Sequence, residues 1–131
     1  ILKTSGILIL ISLIVNILIF VIANTFDVFD GVEVPSPDGS TSTLTVVQVI
    51  VSTLAFLIVA SVVFVILFRR MNIALQTIRI IAIIVVVLSL SLPFTIPDIP
   101  TGALISLELM HIITGVIVIP GLTTDVLYRR M

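Results

Sequence analysis

Apolar side chains fill this chain in four long runs, at residues 6–26, 44–68, 75–96 and 102–122, with turn formers and most of the charges gathered between and around them. A hydrocarbon core of about 30 Å is crossed by roughly 20 helical residues at a rise of about 1.5 Å each. Every run meets that length, and each is uncharged apart from Arg79 near one end of the third and Glu108 inside the fourth. The abundance of Val and Ile suits strands, but membrane strands are about 10 residues long and alternate polar with apolar. These runs are about twice as long and apolar all round, so helices are predicted. The expected fold is all-α: an integral membrane four-helix bundle, up-down-up-down, forming a single transmembrane domain over residues 1–131.

Composition agrees with the pattern. Hydrophobic residues make up 60% of the chain and charged ones 10%, against roughly 25% charged in a soluble domain. So little charge cannot cover a surface in water, and lipid is the solvent for most of the molecule. With no cysteine, disulfides, thiolate metal sites and thiol nucleophiles are excluded. With no tryptophan, Tyr128 and some phenylalanines are the candidates for interfacial anchors.

Charge placement predicts direction. The basic residues Lys3, Arg69, Arg70, Arg79, Arg129 and Arg130 lie before the first run, between the second and third, and after the fourth. The other two connections carry Asp27, Asp30, Glu33, Asp38 and Asp98, with no Lys or Arg. Positive residues stay in the cytoplasm, so both termini are expected there, in a multi-pass protein of the inner (cytoplasmic) membrane. Lys3, the apolar run after it and Val21-Ile22-Ala23 loosely mimic a signal peptide. The run exceeds the usual apolar region of such peptides, and it is read as a retained span.

The outer connection, residues 27–43, holds turn chemistry at Pro37-Asp38-Gly39 and intersperses Val28, Phe29, Val32 and Val34 among its acids. It is expected to fold back on the bundle as a solvated cap, with an acidic vestibule that attracts cations as the sharper reading. The link from Arg69 to Ala74 is short and basic, and joins antiparallel neighbours. Pro93, Pro97 and Pro100 end the third helix and admit the fourth, with Thr101 as its expected N-cap. Pro120-Gly121 is expected to kink or loosen the last helix. Arg79 can snorkel to the cytoplasmic side or pair with Asp125.

Function in such a protein is most often signalled by polar groups at membrane depth. Glu108 and His111 are three residues apart on the fourth span and share a helical face with Gly115, which admits a close neighbour. By depth, Asn16, Ser89 and Ser91 are their candidate partners, with Gln48 nearer the outer end of the second span. Four uses of such a cluster compete. It is an interhelical hydrogen-bond network; a site for a small molecule or a proton, shared between Glu108 and His111; an axial ligand at His111 for haem or a chlorin; or a metal centre. The last is disfavoured, because one Glu-x-x-His supplies two ligands where di-iron bundles use the motif twice and zinc sites take three or four.

Several segments, taken in order, resemble a known family. They are Val34-Pro35-Ser36-Pro37-Asp38-Gly39 with Thr43-Leu44-Thr45, then Arg69-Arg70 and Leu88-Ser89-Leu90-Ser91-Leu92-Pro93. Leu109-Met110-His111-Ile112-Ile113 and Ile119-Pro120-Gly121-Leu122 complete the set. Together they look like a family of small bacterial four-helix integral membrane proteins of unknown function, over nearly the whole chain. The resemblance implies that the Pro-x-Pro-x-Gly loop and His111 belong to the family pattern, with no role attached.

The expected function is therefore a small accessory or structural subunit of a larger membrane assembly, or a homo-oligomer. The alternative is a binding or transport protein using Glu108 and His111 for a proton, a quinone or another amphiphile. An enzyme is not expected, since no Ser/His/Asp set, metal site or phosphate loop is present. The sequence requires no cofactor. Its expected partners are the bilayer, other membrane subunits or copies of itself, and not nucleic acid.

Overall fold

The computed structural model describes residues 2–36, 38–70 and 74–130, with the side chains of 2, 70 and 127–130 excepted. Pro37 of the expected turn, most of the basic link, and the side chains of Arg70, Tyr128, Arg129 and Arg130 lie outside the described residues. Four helices carry the fold: α1 (Leu2–Asn24), α2 (Val46–Arg70), α3 (Leu75–Ser89) and α4 (Thr101–Arg130). Each belongs to a segment long and apolar enough to cross a membrane: Lys3–Asn24, Val46–Arg69, Leu75–Thr95 and Thr101–Val126. A two-stranded hairpin, β1 (Glu33–Pro35) with β2 (Thr41–Thr43), interrupts the connection between α1 and α2.

Local chemistry explains the boundaries. At the end of α1, the Val28 N–H donates to Ala23 O (3.3 Å) and the Asp27 N–H to Asn24 O (3.1 Å). That is a Schellman closure, with Asp27 at φ 54° in the left-handed position that glycine usually takes. Helix α2 opens with a reciprocal capping box: Gln48 Oε1 accepts from the Thr45 N–H (2.8 Å), and Thr45 Oγ1 accepts from the Gln48 N–H (3.4 Å). Helix α3 stops at Ser89 because Pro93 has no N–H to give the Ser89 carbonyl, which accepts from Leu92 N instead (3.1 Å). The chain continues through a turn into a short 3-10 helix, Pro93–Thr95. The first bond of α4 is accepted by the Pro100 carbonyl from Leu104 N (3.0 Å), so the cap falls one residue before Thr101. Pro120 sits inside a continuous α4, where Thr123 Oγ1 donates back to Ile119 O (2.8 Å).

Packing follows two apolar clusters, one at each end. Phe20, Phe29, Val32, Val49, Ala103 and Met110 form the cluster under the hairpin. Phe64, Ile78, Leu122 and Val126 form the other. The first joins the end of α1 to the starts of α2 and α4, and the second joins the end of α2 to the start of α3 and the end of α4. Neighbouring helices therefore run antiparallel. Helix α1 packs against both α2 and α4, and α3 against α4, whereas α2 and α3 touch sparingly.

The outer connection does fold back. Phe29, 1% exposed, stacks on Phe20 with ring centroids 5.0 Å apart, and Val32 is 2% exposed. Its acids stay in solvent: Asp27, Asp30, Glu33, Asp38 and Asp98 are all exposed. Glu33 Oε2 accepts from Thr41 Oγ1 across the hairpin (2.8 Å). The Ser40 hydroxyl (2.6 Å) and then its backbone N–H (3.0 Å) hold the Asp38 carboxyl below its ordinary range. These contacts describe a solvated cap. Arg79 is exposed.

Two glycines set how closely α4 is approached. A Cβ at Gly115 would lie 3.0 Å from Val86 Cγ2 of α3, and one at Gly121 would lie 2.6 Å from Leu8 Cδ2 of α1. Val86 is β-branched and stiff, whereas the Leu8 methyls end a flexible side chain. Gly115→Ile is accordingly expected to push α3 off α4 and cost about 1–3 kcal/mol. Gly121→Ala is expected to be near neutral, because the helix propensity gained, up to about 1 kcal/mol, offsets a Leu8 rotamer change. Unfolding of the two variants in detergent, compared with the parent, checks the ranking; equal losses would contradict it.

Candidate functional site

Between the two apolar clusters lies a polar waist. Asn16, buried on α1, donates through Nδ2 to Thr53 Oγ1 of α2 (3.2 Å) and to Thr114 Oγ1 of α4 (3.3 Å). The pair with Thr114 is reciprocal, since the Thr114 hydroxyl also reaches Asn16 Oδ1 (3.4 Å). One amide thus ties three helices together about 12 Å in from the hairpin end of α1, counting eight residues back from Asn24. Thr53 and Thr114 were not among the residues expected at the site. The signal for them was weak but present: Thr114, and Thr53 with its neighbour Ser52, are polar residues inside apolar runs.

The waist forms the back of a cleft of about 480 Å³ between α2 and α3. That volume lies within the roughly 300–1,000 Å³ of small-molecule sites. One wall is Phe56, Val59, Val63 and Leu67 of α2, and the other is Ile81, Ala82 and Val85 of α3. Several of these also face outward, Val59 at 62% exposure, so the cleft opens sideways from the bundle. Its lining is apolar except for Asn16, Ser52, Thr53, Ser89 and the α4 residues His111, Thr114 and Thr123.

The expected cluster is therefore partly assembled. Asn16, Ser89 and His111 line one cleft. The contact between Gly115 and Val86 in antiparallel helices puts Ser89 at the level of Ile112, beside His111. Ser91 does not join them; it is exposed, and its hydroxyl bonds Leu88 O (2.7 Å). Glu108 is half-buried, its Oε1 is enclosed without a hydrogen-bond partner, and it is not part of the cleft lining. No hydrogen bond joins Glu108 to His111 among the described residues. Instead His111 Nδ1 meets the Leu107 carbonyl at 2.7 Å, one turn back on its own helix. Gln48 works locally, in the α2 cap.

The Leu107 contact selects the tautomer of a neutral imidazole. A carbonyl can only accept, so Nδ1 carries the hydrogen and the neutral ring keeps a lone pair at Nε2. Ser89 resembles it in this respect: its hydroxyl hydrogen goes to Val86 O (2.7 Å), leaving oxygen lone pairs. Among the described residues no three His, Cys, Asp or Glu side chains converge where a metal ion could be held.

Interhelical hydrogen bonds in membranes average about 0.6 kcal/mol and reach about 1.7. Asn16→Leu, which keeps the shape and removes both partners, is expected to cost about 1–2 kcal/mol. Adding Thr114→Val should cost less than the two single losses summed. A double-mutant cycle in detergent checks this; strict additivity would mean the bonds carry nothing.

Comparison with known proteins adds one assignment. The model of a Family of unknown function (DUF6069) matches residues 2–127. Neither a curated protein nor a solved structure matches.

Proposed function

We propose, for a chain that belongs to this family of unknown function, that the protein is a membrane-embedded binding protein that takes a neutral, lipid-soluble guest sideways from the bilayer into the cleft between α2 and α3. It binds and releases the guest without chemistry on it. The observation that carries the reading is the cleft itself: about 480 Å³, apolar on both walls, with acceptor groups at its back. A purely structural bundle gains nothing from keeping two sequence-adjacent helices apart, since in lipid the attraction between helices is close van der Waals contact.

The accessory-subunit reading uses the same surface, with a partner's helix seated where the guest would be. Purification separates the two. Protein moved from its native membrane into nanodiscs of synthetic phosphatidylcholine is expected to retain a non-phospholipid compound near one per chain, read by extraction and mass spectrometry. Ala82→Phe, which fills the cleft from the α3 wall, is expected to lose it. Wild-type protein that retains no such compound would sink the proposal. A stoichiometric second subunit would replace it with the accessory reading, and a haem or chlorin absorbance with axial ligation by His111.

We also place the protein in the cytoplasmic membrane with both termini inside, which the segregation of Lys and Arg supports. Because the chain lacks cysteine, single-cysteine labelling is clean. Ser40→Cys in the hairpin loop is expected to react with an impermeant maleimide on intact cells. Gln76→Cys near the start of α3 is expected to react only after permeabilisation, and the reverse pattern would invert the orientation.

A further inference from the structure

From the polar inventory of the cleft we infer that its guest carries a hydroxyl, an alcohol or phenol on a long apolar body, and that His111 Nε2 accepts the hydroxyl hydrogen. The inference rests on the cleft being a binding site and says what it selects. Three observations carry it.

The first is the direction of the hydrogen bonds at the level of His111 and Ser89. Nδ1 of His111 is committed to Leu107 O (2.7 Å), and the Ser89 hydroxyl to Val86 O (2.7 Å). The Asn16 amide is engaged with Thr53 and Thr114. At the level of His111 and Ser89 the remaining capacity is lone pairs. A guest offering only acceptors, such as an ether, would leave those lone pairs unpaired out of reach of water, whereas an O–H donor would satisfy one.

The second is depth. His111 stands ten residues into α4, about 15 Å from its start, which is half of a hydrocarbon core of about 30 Å. A phospholipid holds its charged headgroup at the bilayer surface, so it can bring only chain carbon to His111. A guest whose small neutral polar group travels inside the hydrocarbon can bring that group there.

The third is shape. The α2 side of the cleft runs from Ser52 to Leu67, about 22 Å along the helix, and its polar atoms sit toward the hairpin end. The half lined by Val63, Leu67, Ile78 and Val118 is apolar apart from Thr123, whose hydroxyl hydrogen is returned to Ile119 O (2.8 Å). A guest lying along the cleft thus has its hydroxyl toward the hairpin end and its apolar body toward the far end.

The test uses full-length protein in phosphatidylcholine nanodiscs with a diazirine-bearing hexadecanol, and the methyl ether of the same compound as control. Photolabelled positions are mapped by mass spectrometry. The alcohol is expected to label cleft residues roughly three- to eighteenfold more than the ether, the span of one membrane hydrogen bond. His111→Phe should bring the ratio to parity while ether labelling persists, and His111→Gln, whose amide oxygen still accepts, should restore part of it. Equal labelling by alcohol and ether in the wild type would overturn the hydroxyl inference and leave the binding reading standing. Labelling spread over the lipid-facing surface, and unchanged by Ala82→Phe, would overturn both. Should His111→Phe lose ether labelling as well, the wild-type ratio decides alone.

Discussion

Nothing inside a bilayer hydrogen-bonds to an exposed peptide group, and nothing there drives one apolar helix onto another. The first constraint makes each span a helix, because only a helix satisfies its own backbone. The second leaves close contact and a few polar bonds as the forces that choose which helices meet. The buried positions in the first two-thirds of α1 fit that choice: Ser5, Ser12 and Asn16 are small or polar where a soluble bundle would place leucine, and only toward the hairpin does Phe20 take over. On α4 the glycines at 115 and 121 perform the same task from the other side. Beyond the helix ends water returns, and the rule changes with it. Phe29 and Val32 are buried there by the ordinary hydrophobic effect, worth about 1.5–3 kcal/mol for each such side chain.

This division explains the cleft. Helices α2 and α3 are neighbours in sequence, yet α3 packs closely on α4, where Val86 seats against Gly115. No glycine on α2 offers α3 a comparable seat, and the facing side chains include Phe56 and Phe64. Helix α3 is drawn to α4 and held off α2 by bulk. The opening is a consequence of where the small residues are. It is lined at the back by the amide and hydroxyls that hold the other three helices together.

Most of the fold was legible in the order of apolar and polar residues, because the length and charge of a membrane helix are tightly constrained. The fold-back of the outer connection was legible too, from Phe29 and Val32 among acids. The hairpin was not: strands of three residues with Ser and Thr between them look like loop until cross-strand bonds such as Thr41 to Glu33 are seen. The capping box at Thr45 and Gln48 has a readable spacing, but Gln48 invited interpretation as an intramembrane polar group. At the site, depth matching brought Asn16, Ser89 and His111 to one cleft. It missed Thr53 and Thr114, since a threonine can return its hydroxyl to its own helix and so announces no partner. Ser91 illustrates the converse: two residues from Ser89, it turns outward and bonds its own backbone.

Glu108 shows where spacing misleads. Three residues from His111, it lies on a shared stripe, and a shared stripe supplies direction without contact. The His111 side chain turns instead to the Leu107 carbonyl, one turn behind it, which Nδ1 meets at 2.7 Å. Glu108 stands two turns ahead of Gly115 on the same face, and α3 runs antiparallel to α4. The register that pairs Gly115 with Val86 therefore sets Glu108 level with Pro93, a residue with no N–H to give. Its Oε1 has no hydrogen-bond partner among the described residues. The polar chemistry of α4 is thus divided between two places, with the imidazole lining the cleft and the carboxyl outside its lining.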